Sequence, residues 1–292
     1  MTAEQDHFAT VTIGECLHQG VERLNKAGIN GARLDARLLL AEAIEKDPSY
    51  LFGYPEKEVT KAERASFENM ITRRTNREPV SRIVGYREFW SIKFYISSET
   101  LDPRPDSETL VEATLGLLED KTIPLRILDL GTGSGCLLLA LLSELPKSTG
   151  LGVDISAGAV AVAESNALSL GLTERASFQT GNWCEGLSGE WDIIISNPPY
   201  IGRHEISDLE PEVLEYDPAK ALFAEENGLK DYRDLIPQAA KILKEQGFLV
   251  IEAGQGQSLE INDLMVSAEL TCLPTIKDLA GIDRACFARK VI

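Results

Sequence analysis

A chain of 292 residues, 43% hydrophobic and 26% charged, has the makeup of an ordinary soluble protein. It is long enough for a sizeable core and two domains, one of them small. Its net charge of −17, from 46 acidic against 29 basic residues, argues against a surface built to neutralise phosphates and favours a basic protein partner over nucleic acid. The longest aliphatic run, Leu137–Leu142, is too short for a bilayer, and Glu4 and Asp6 stand where a secretory signal would be basic and then apolar. Scattered cysteines with no CxxC pair fit reduced thiols, so a cytoplasmic protein without disulfides, metal site or membrane anchor is expected.

In chain order, Thr12 is placed to cap a helix through Lys26 that stops at Gly28, with Ile13, Leu17, Val21 and Leu24 on one face. A second helix is expected over Leu34–Lys46, and a third over Thr60–Arg77, opened by the capping box Thr60-Lys61-Ala62-Glu63. Val84–Ile96, rich in aromatic and β-branched residues, reads as a β-hairpin. Asp102-Pro103-Arg104-Pro105 is a stiff connector into a helix near Ser107. From Leu125 strands and helices alternate. Strands are expected at 125–130, 150–155, 176–180, 192–196 and 248–252, with helices over 157–170, 229–244 (kinked at Pro237) and 259–266. Two closing strands, 275–279 and 285–289, lack helix room between them and imply a terminal hairpin. The fold class is therefore α/β: a Rossmann-like sheet with a terminal antiparallel hairpin. A helical domain over 1–78 and a hairpin and connector over 79–106 precede the α/β domain over 107–292.

Three features converge on the carboxyl edge of that sheet. Asp129-Leu130-Gly131-Thr132-Gly133-Ser134-Gly135 turns the first strand into a helix, where glycines let the backbone pass close to a ligand. Cys136 occupies the place of the third glycine of a dinucleotide fingerprint, and no lysine follows as in a phosphate loop. The turn suits an amino-acid tail joined to a nucleoside. Asp154, ending the second strand, can accept from ribose hydroxyls. Asn182-Trp183 follows the third strand, where Trp183 either packs on an adenine or closes the core, and Asn182 can accept from an exocyclic amine.

Asn197-Pro198-Pro199-Tyr200 closes the fourth strand. The prolines remove donors and hold an extended backbone, so the loop presents the Asn197 side-chain oxygen and backbone carbonyls as acceptors. Two fixed acceptors suit a planar NH2 group on an sp² carbon, with Tyr200 offering a flat face beside it.

Together, Asp129–Gly135, Asp154, Asn182-Trp183 and Asn197–Tyr200 resemble the class I S-adenosylmethionine-dependent methyltransferases. The segments Pro79–Trp90 and Pro103–Glu108, with Asn197–Ile201, resemble more narrowly the release-factor glutamine methyltransferases (PrmC/HemK family), over nearly the whole chain. The resemblance implies methylation of the glutamine in the Gly-Gly-Gln motif of class-1 peptide-chain release factors, with S-adenosylmethionine as cofactor. Gly131, Thr132, Gly133, Ser134, Gly135, Asp154, Asn182, Trp183 and Asn197 would bind that cofactor. Asn197, Pro198, Pro199 and Tyr200 would hold the substrate amide, and the helical domain and hairpin would help grip the protein substrate. Three positions depart from the family pattern: Asp102 for an aliphatic residue, Ser107 for threonine, and Asn182 for an acid.

The Asn197 oxygen and the Pro198 carbonyl would each accept one N–H of the substrate amide, with Tyr200 packed beside it and no metal or covalent intermediate required. His204 reads as a solvated loop residue rather than a base. Arg104 either contacts substrate or pins the connector to an acid, and Cys136 is a packing residue. The same loop would also fit the NH2 of a flipped adenine or cytosine, which the acidic charge disfavours. A cofactor-binding assembly module without catalysis is disfavoured by the intact Asn197–Tyr200 motif.

Overall fold

The computed structural model describes residues 11–291, so the acidic start on which the absence of a secretory signal was read lies outside the described residues. The chain divides into two units that meet in sequence at Gly85 and Tyr86.

In the first unit, β1 (Val11–Thr12) leads into α1 (Ile13–Lys26), followed by α2 (Ala32–Ala43), α3 (Tyr50–Gly53), β2 (Glu58–Val59), α4 (Lys61–Thr75) and α5 (Val80–Val84). The predicted capping box at Thr60 forms, and the predicted cap at Thr12 closes into a second one. Thr12 Oγ1 accepts from Glu15 N while Glu15 accepts from Thr12 N at 2.8 Å, and Thr60 and Glu63 repeat the exchange. α2 starts two residues ahead of the expected Leu34, because Gly31 at φ 79° turns the chain in through a left-handed conformation open to glycine. Leu24, Leu39, Leu40 and Ile71 are fully buried together in this unit's own core. The nearly buried Arg74 is paired with Asp35 at 2.7 Å.

The second unit opens with the hairpin, β3 (Tyr86–Phe89) and β4 (Ile92–Tyr95), turned by Trp90 and Ser91 at φ 54° and 57°. Two left-handed central residues match the twist of the paired strands. Phe89 and Phe94 bury their rings in the core of this unit. Asn166 fixes the hairpin edge by accepting from Tyr95 N at 2.8 Å and donating to Tyr95 O at 3.0 Å, and it also donates to the Ser134 carbonyl of the glycine turn at 2.9 Å.

A single 3₁₀ turn, Pro105–Ser107, leads into α6 (Glu108–Gly116), and then β5 (Arg126–Leu130), α7 (Cys136–Glu144), β6 (Thr149–Asp154), α8 (Ala157–Ser169), β7 (Ala176–Thr180) and β8 (Trp191–Ser196) follow. After β8 come a 3₁₀ segment (Arg203–Asp208), α9 (Pro211–Tyr216), α10 (Ala219–Leu222), α11 (Glu225–Gly228) and α12 (Lys230–Ile242). The chain finishes with β9 (Leu243–Glu252), α13 (Ser258–Ser267), β10 (Leu270–Cys272), β11 (Ile276–Lys277) and β12 (Asp283–Lys290). The sheet order is β10-β12-β9-β8-β5-β6-β7. β9, β8, β5, β6 and β7 run parallel, and β12 lies antiparallel against β9.

The expected Rossmann-like sheet and terminal antiparallel pair are both present, since β11 pairs with β12. The extra edge strand β10 and the short helices between 203 and 228 were not foreseen, because runs of three to six residues carry no usable period. Strand order reverses between β5 and β8, and at such a switch point the carboxyl edge opens a crevice. No helix among the described residues is long and apolar enough to cross a membrane.

Candidate active site

All the candidate residues sit at that carboxyl edge. A cavity of about 610 Å³ is lined there by Gly131, Thr132, Gly133 and Ser134 after β5, Asp154 at the end of β6, Asn182 and Trp183 after β7, and Asn197 and Pro199 after β8. That volume suits a small-molecule cofactor.

The glycine turn is tied down by its own backbone. Gly131 N and Thr132 N both donate to the Val153 carbonyl (2.8 and 3.0 Å), Gly135 N donates to Thr132 O, and Gly133 N donates to Asp154 Oδ2 at 2.9 Å. With these donors spent, the turn is no anion nest, in line with the missing phosphate signatures. Gly133, at φ 54°, has nothing within 4 Å of where a Cβ would stand, so its bare Cα leaves room beside the cavity. A Cβ on Gly131 would come within 3.5 Å of the Trp183 ring. Gly135 serves differently from expectation. It does not line the cavity, and a Cβ there would meet Ala163 and Leu139 at 3.2 Å, so it is bare for packing.

Thr132 Oγ1 turns inward and donates to Asp129 Oδ2 at 2.6 Å. Burial pushes the Asp129 carboxyl up to about 7. Its Oδ1, and the buried Ser134 Oγ, have no hydrogen-bond partner. Asp154 Oδ1 accepts from Ser156 N at 2.9 Å, so each Asp154 oxygen holds one backbone N–H and keeps a lone pair for another donor. An orphaned Ser134 hydroxyl on the cavity lining, a bare-glycine rim, an acid with spare acceptor capacity and a half-buried Trp183 fit an S-adenosylmethionine-like ligand, which carries an amino-acid tail, a diol and a base.

The Asn197 loop is held by a network that the sequence did not announce. Asn197 Nδ2 donates to Ser107 Oγ at 3.1 Å, Ser107 Oγ donates to Glu252 Oε2 at 2.5 Å, and Tyr200 Oη donates to Glu252 Oε1 at 3.3 Å. Among the described residues nothing hydrogen-bonds to Asn197 Oδ1 or to the Pro198 carbonyl. Tyr200 does not line the cavity. Gln257 Nε2 donates to its carbonyl at 3.0 Å, its ring lies against Gly254, and a Cβ on Gly228 would stand 2.1 Å from that same carbonyl. Tyr200 is thus braced from Glu252, Gly254 and Gln257 and stands outside the lining of the cavity. Burial, and secondarily the charge of Glu252, hold its phenol well above its usual pKa. Pro198 is buried and is not among the residues that line the cavity.

Arg104 takes the pinning role, with Nη2 2.6 Å from Asp217 Oδ2, and Asp217 Oδ1 also accepts from Asp102 N at 3.2 Å. Asp102 thus sits buried in a polar contact where an aliphatic residue was the family expectation. His204 is exposed and nearest to Glu205, at 3.9 Å, away from the cavity. Burial raises the Cys136 thiol to about 12, which suits an inert packing residue. Ser107 and Glu252 are the functional candidates that motif reading missed. The available signal was a carboxylate ending the aliphatic strand Phe248–Glu252 at the same edge as the other ligands.

Residues 15–85 match a family model described as the PrmC N-terminal domain, and residues 123–283 match one described as a methyltransferase domain. A release factor glutamine methyltransferase of Rhodospirillum rubrum is 46% identical over 288 residues, covering 99% of this chain and 88% of the relative. The chain belongs to that family. Its counterpart in Bradyrhizobium diazoefficiens is 44% identical over 289 residues, covering 98% of this chain and 97% of the relative. Among solved structures, a methyltransferase from Pyrococcus furiosus aligns with a TM-score of 0.52 at 14% identity, covering 69% of this chain and 90% of the other, a likeness of fold. Family membership extends across both units, and the acceptor loop lies in the second.

Proposed function

We propose that this protein transfers a methyl group from S-adenosylmethionine to the side-chain amide nitrogen of the Gly-Gly-Gln glutamine in class-1 peptide-chain release factors. The observation that carries the chemistry is the unoccupied Asn197 Oδ1 on a residue that lines a cavity fit for the cofactor, next in the chain to a Pro198 carbonyl that also has no partner among the described residues. The substrate assignment rests on family membership at 46% identity across the chain.

Bound S-adenosylmethionine would supply an electrophilic methyl on sulfur. Asp154 would accept from its ribose hydroxyls, the bare edge of Gly131 and Gly133 would admit its amino-acid end, and Trp183 with Asn182 would meet its adenine. A glutamine amide nitrogen is a weak nucleophile, because its lone pair is shared with the carbonyl. Asn197 Oδ1 and the Pro198 carbonyl, each taking one N–H, turn the nitrogen toward the methyl and stabilise the positive charge that grows on it. Orientation is the larger contribution, since holding two reactants in line is worth about 7–11 kcal/mol against about 1 kcal/mol for a single net hydrogen bond. Pro199 closes the rim, and Tyr200 holds the loop from behind.

Mass spectrometry of a release factor after incubation with enzyme and labelled cofactor tests the reading directly. A gain of one methyl on the Gly-Gly-Gln glutamine is expected. Labelling of DNA or ribosomal RNA in parallel reactions, with the release factor untouched, would replace it with the nucleic-acid reading.

The first unit, matching the PrmC N-terminal domain, is proposed to grip the protein substrate. A fragment of residues 86–292, which carries its own core, is expected to bind cofactor as the full chain does but to methylate intact release factor at least about tenfold more slowly. Equal turnover by fragment and full chain would remove the gripping role.

A further inference from the structure

Ser107 has a single hydroxyl proton and two neighbours competing for its attention, Glu252 Oε2 at 2.5 Å and the Asn197 carboxamide at 3.1 Å. An ionised carboxylate can only accept, so the proton goes to Glu252 and the Ser107 oxygen is left to accept. Only the NH2 end of Asn197 can meet an acceptor, which leaves Oδ1 for the cavity. We propose that Glu252, acting through Ser107, is a positioning residue that sets which end of the Asn197 carboxamide faces the substrate. The inference rests on the reading above, in which Asn197 Oδ1 takes an N–H of the substrate amide.

The arrangement makes the site sensitive to the charge of Glu252. Its side chain is met by the Ser107 hydroxyl from the 3₁₀ turn and by the Tyr200 hydroxyl from the β8 loop. Arg284 on β12 and Asp106 add their charges, and Tyr232 on α12 donates instead to the Glu252 backbone carbonyl at 3.0 Å. Arg284 is itself held by Asp278 at 3.0 Å and stands 3.7 Å from Asp106, and Cys136 at the head of α7 stays a neutral thiol. Burial raises the Glu252 carboxyl to about 7, a rise opposed by the Ser107 hydrogen bond, the Arg284 charge and the Tyr200 hydrogen bond, and furthered by Asp106. When Glu252 gains a proton, its closer neighbour Ser107 receives the new O–H. The Ser107 hydroxyl must then donate to Asn197, which draws Oδ1 toward Ser107. The NH2 end turns to the substrate, and donor faces donor. The sign follows: the competent arrangement is present above the Glu252 pKa and is lost as pH falls through it.

The experiment measures the single-turnover rate against pH for wild type, Glu252→Gln, Ser107→Ala and Ser107→Thr. Alongside it, the side-chain NH2 resonances of Asn197 are followed by nitrogen-15 NMR in the enzyme without substrate. Wild type should lose about tenfold in rate per pH unit below a near-neutral midpoint, the slope of a single required ionisation, and the Asn197 resonances should move with the same midpoint. A substrate amide does not titrate in this range. Asp129, also raised to about 7, does, but its contribution would survive Glu252→Gln. In Glu252→Gln the side-chain oxygen can still take the Ser107 proton, so activity should persist with the acid limb and the NMR titration both gone. Ser107→Ala should cost about tenfold or more in rate with cofactor affinity kept, and Ser107→Thr, which restores the hydroxyl, should recover most of it.

An unchanged acid limb and NMR titration in Glu252→Gln, or a wild-type rate in Ser107→Ala, would overturn the inference. Should Glu252→Gln fail to fold, the Ser107 pair and the wild-type NMR titration decide it. If Asn197→Ala methylates normally while its resonances in wild type still follow Glu252, the acceptor reading fails and the coupling stands.

Discussion

Replacing Asn197 with alanine is expected to slow methyl transfer about a hundredfold. In the proposed Michaelis complex the substrate amide would give one N–H to Asn197 Oδ1, an atom that no group among the described residues already occupies. Alanine leaves that N–H unpaired in a site closed by Pro199 and frees the nitrogen to rotate. Losing an oriented partner at a centre where charge develops costs roughly 3 kcal/mol at the transition state, a factor of about a hundred. Cofactor affinity should fall far less, because Asp154, Trp183 and the glycine turn are untouched. Asn197→Asp is the informative companion. It keeps an acceptor but sets a second carboxylate beside Ser107, which has one proton for two anions, so an intermediate rate is expected. Single-turnover assays with labelled cofactor check both, and a near wild-type rate for Asn197→Ala would end the two-acceptor mechanism.

Those expectations depend on features the sequence shows unequally. Most of the parallel strands were legible as short apolar runs closed by a glycine or an acid, as at Gly131, Asp154 and Glu252, while Ile193–Ile195 leads into Asn197. The cap at Thr12 and the capping box at Thr60 marked two helix starts to the residue, because local hydrogen bonds to the first turn define them. The antiparallel entry of β12 beside β9 and the edge strand β10 depend on long-range pairing that no local pattern encodes. Likewise Asp129–Gly135, Asp154 and Asn197 could be placed at one edge of the sheet from spacing alone, since topology brings every β-to-α turn of a parallel sheet to the same side.

What each residue does there was less legible. Gly135 and Gly133 look alike in sequence, yet one is bare for helix packing and the other faces open space. Tyr200 sits in the motif but is turned behind it by Glu252, Gly254 and Gln257, residues more than fifty positions downstream. Ser107 stands out in the sequence only as a serine in place of the family's threonine. Its importance appears only once the fold carries it to within 3.1 Å of Asn197, ninety residues away.

Asp154→Ala is expected to weaken cofactor binding by about 3 kcal/mol, more than a lost ribose contact alone would give. A hydrogen bond to a charged acceptor contributes roughly 1.5–3 kcal/mol. Asp154 also holds the turn itself, accepting from Gly133 N and from Ser156 N, both at 2.9 Å. Alanine would release Gly133, whose φ of 54° is part of the shape that leaves the cavity open, and would strip the start of α8 of one anchor. The affinity loss should therefore be about a hundredfold. Asp154→Asn separates the contributions. Its one oxygen can still take one backbone N–H, but its NH2 must face the other, so the turn stays half-held and the ribose side loses charge. Calorimetric titration with S-adenosylmethionine should rank wild type above Asp154→Asn and Asp154→Ala weakest, with thermal unfolding of the ligand-free proteins reporting any loosening of the turn. Equal cofactor affinity for wild type and Asp154→Ala would move the ribose site away from β6 and leave Asp154 only the task of holding the glycine turn.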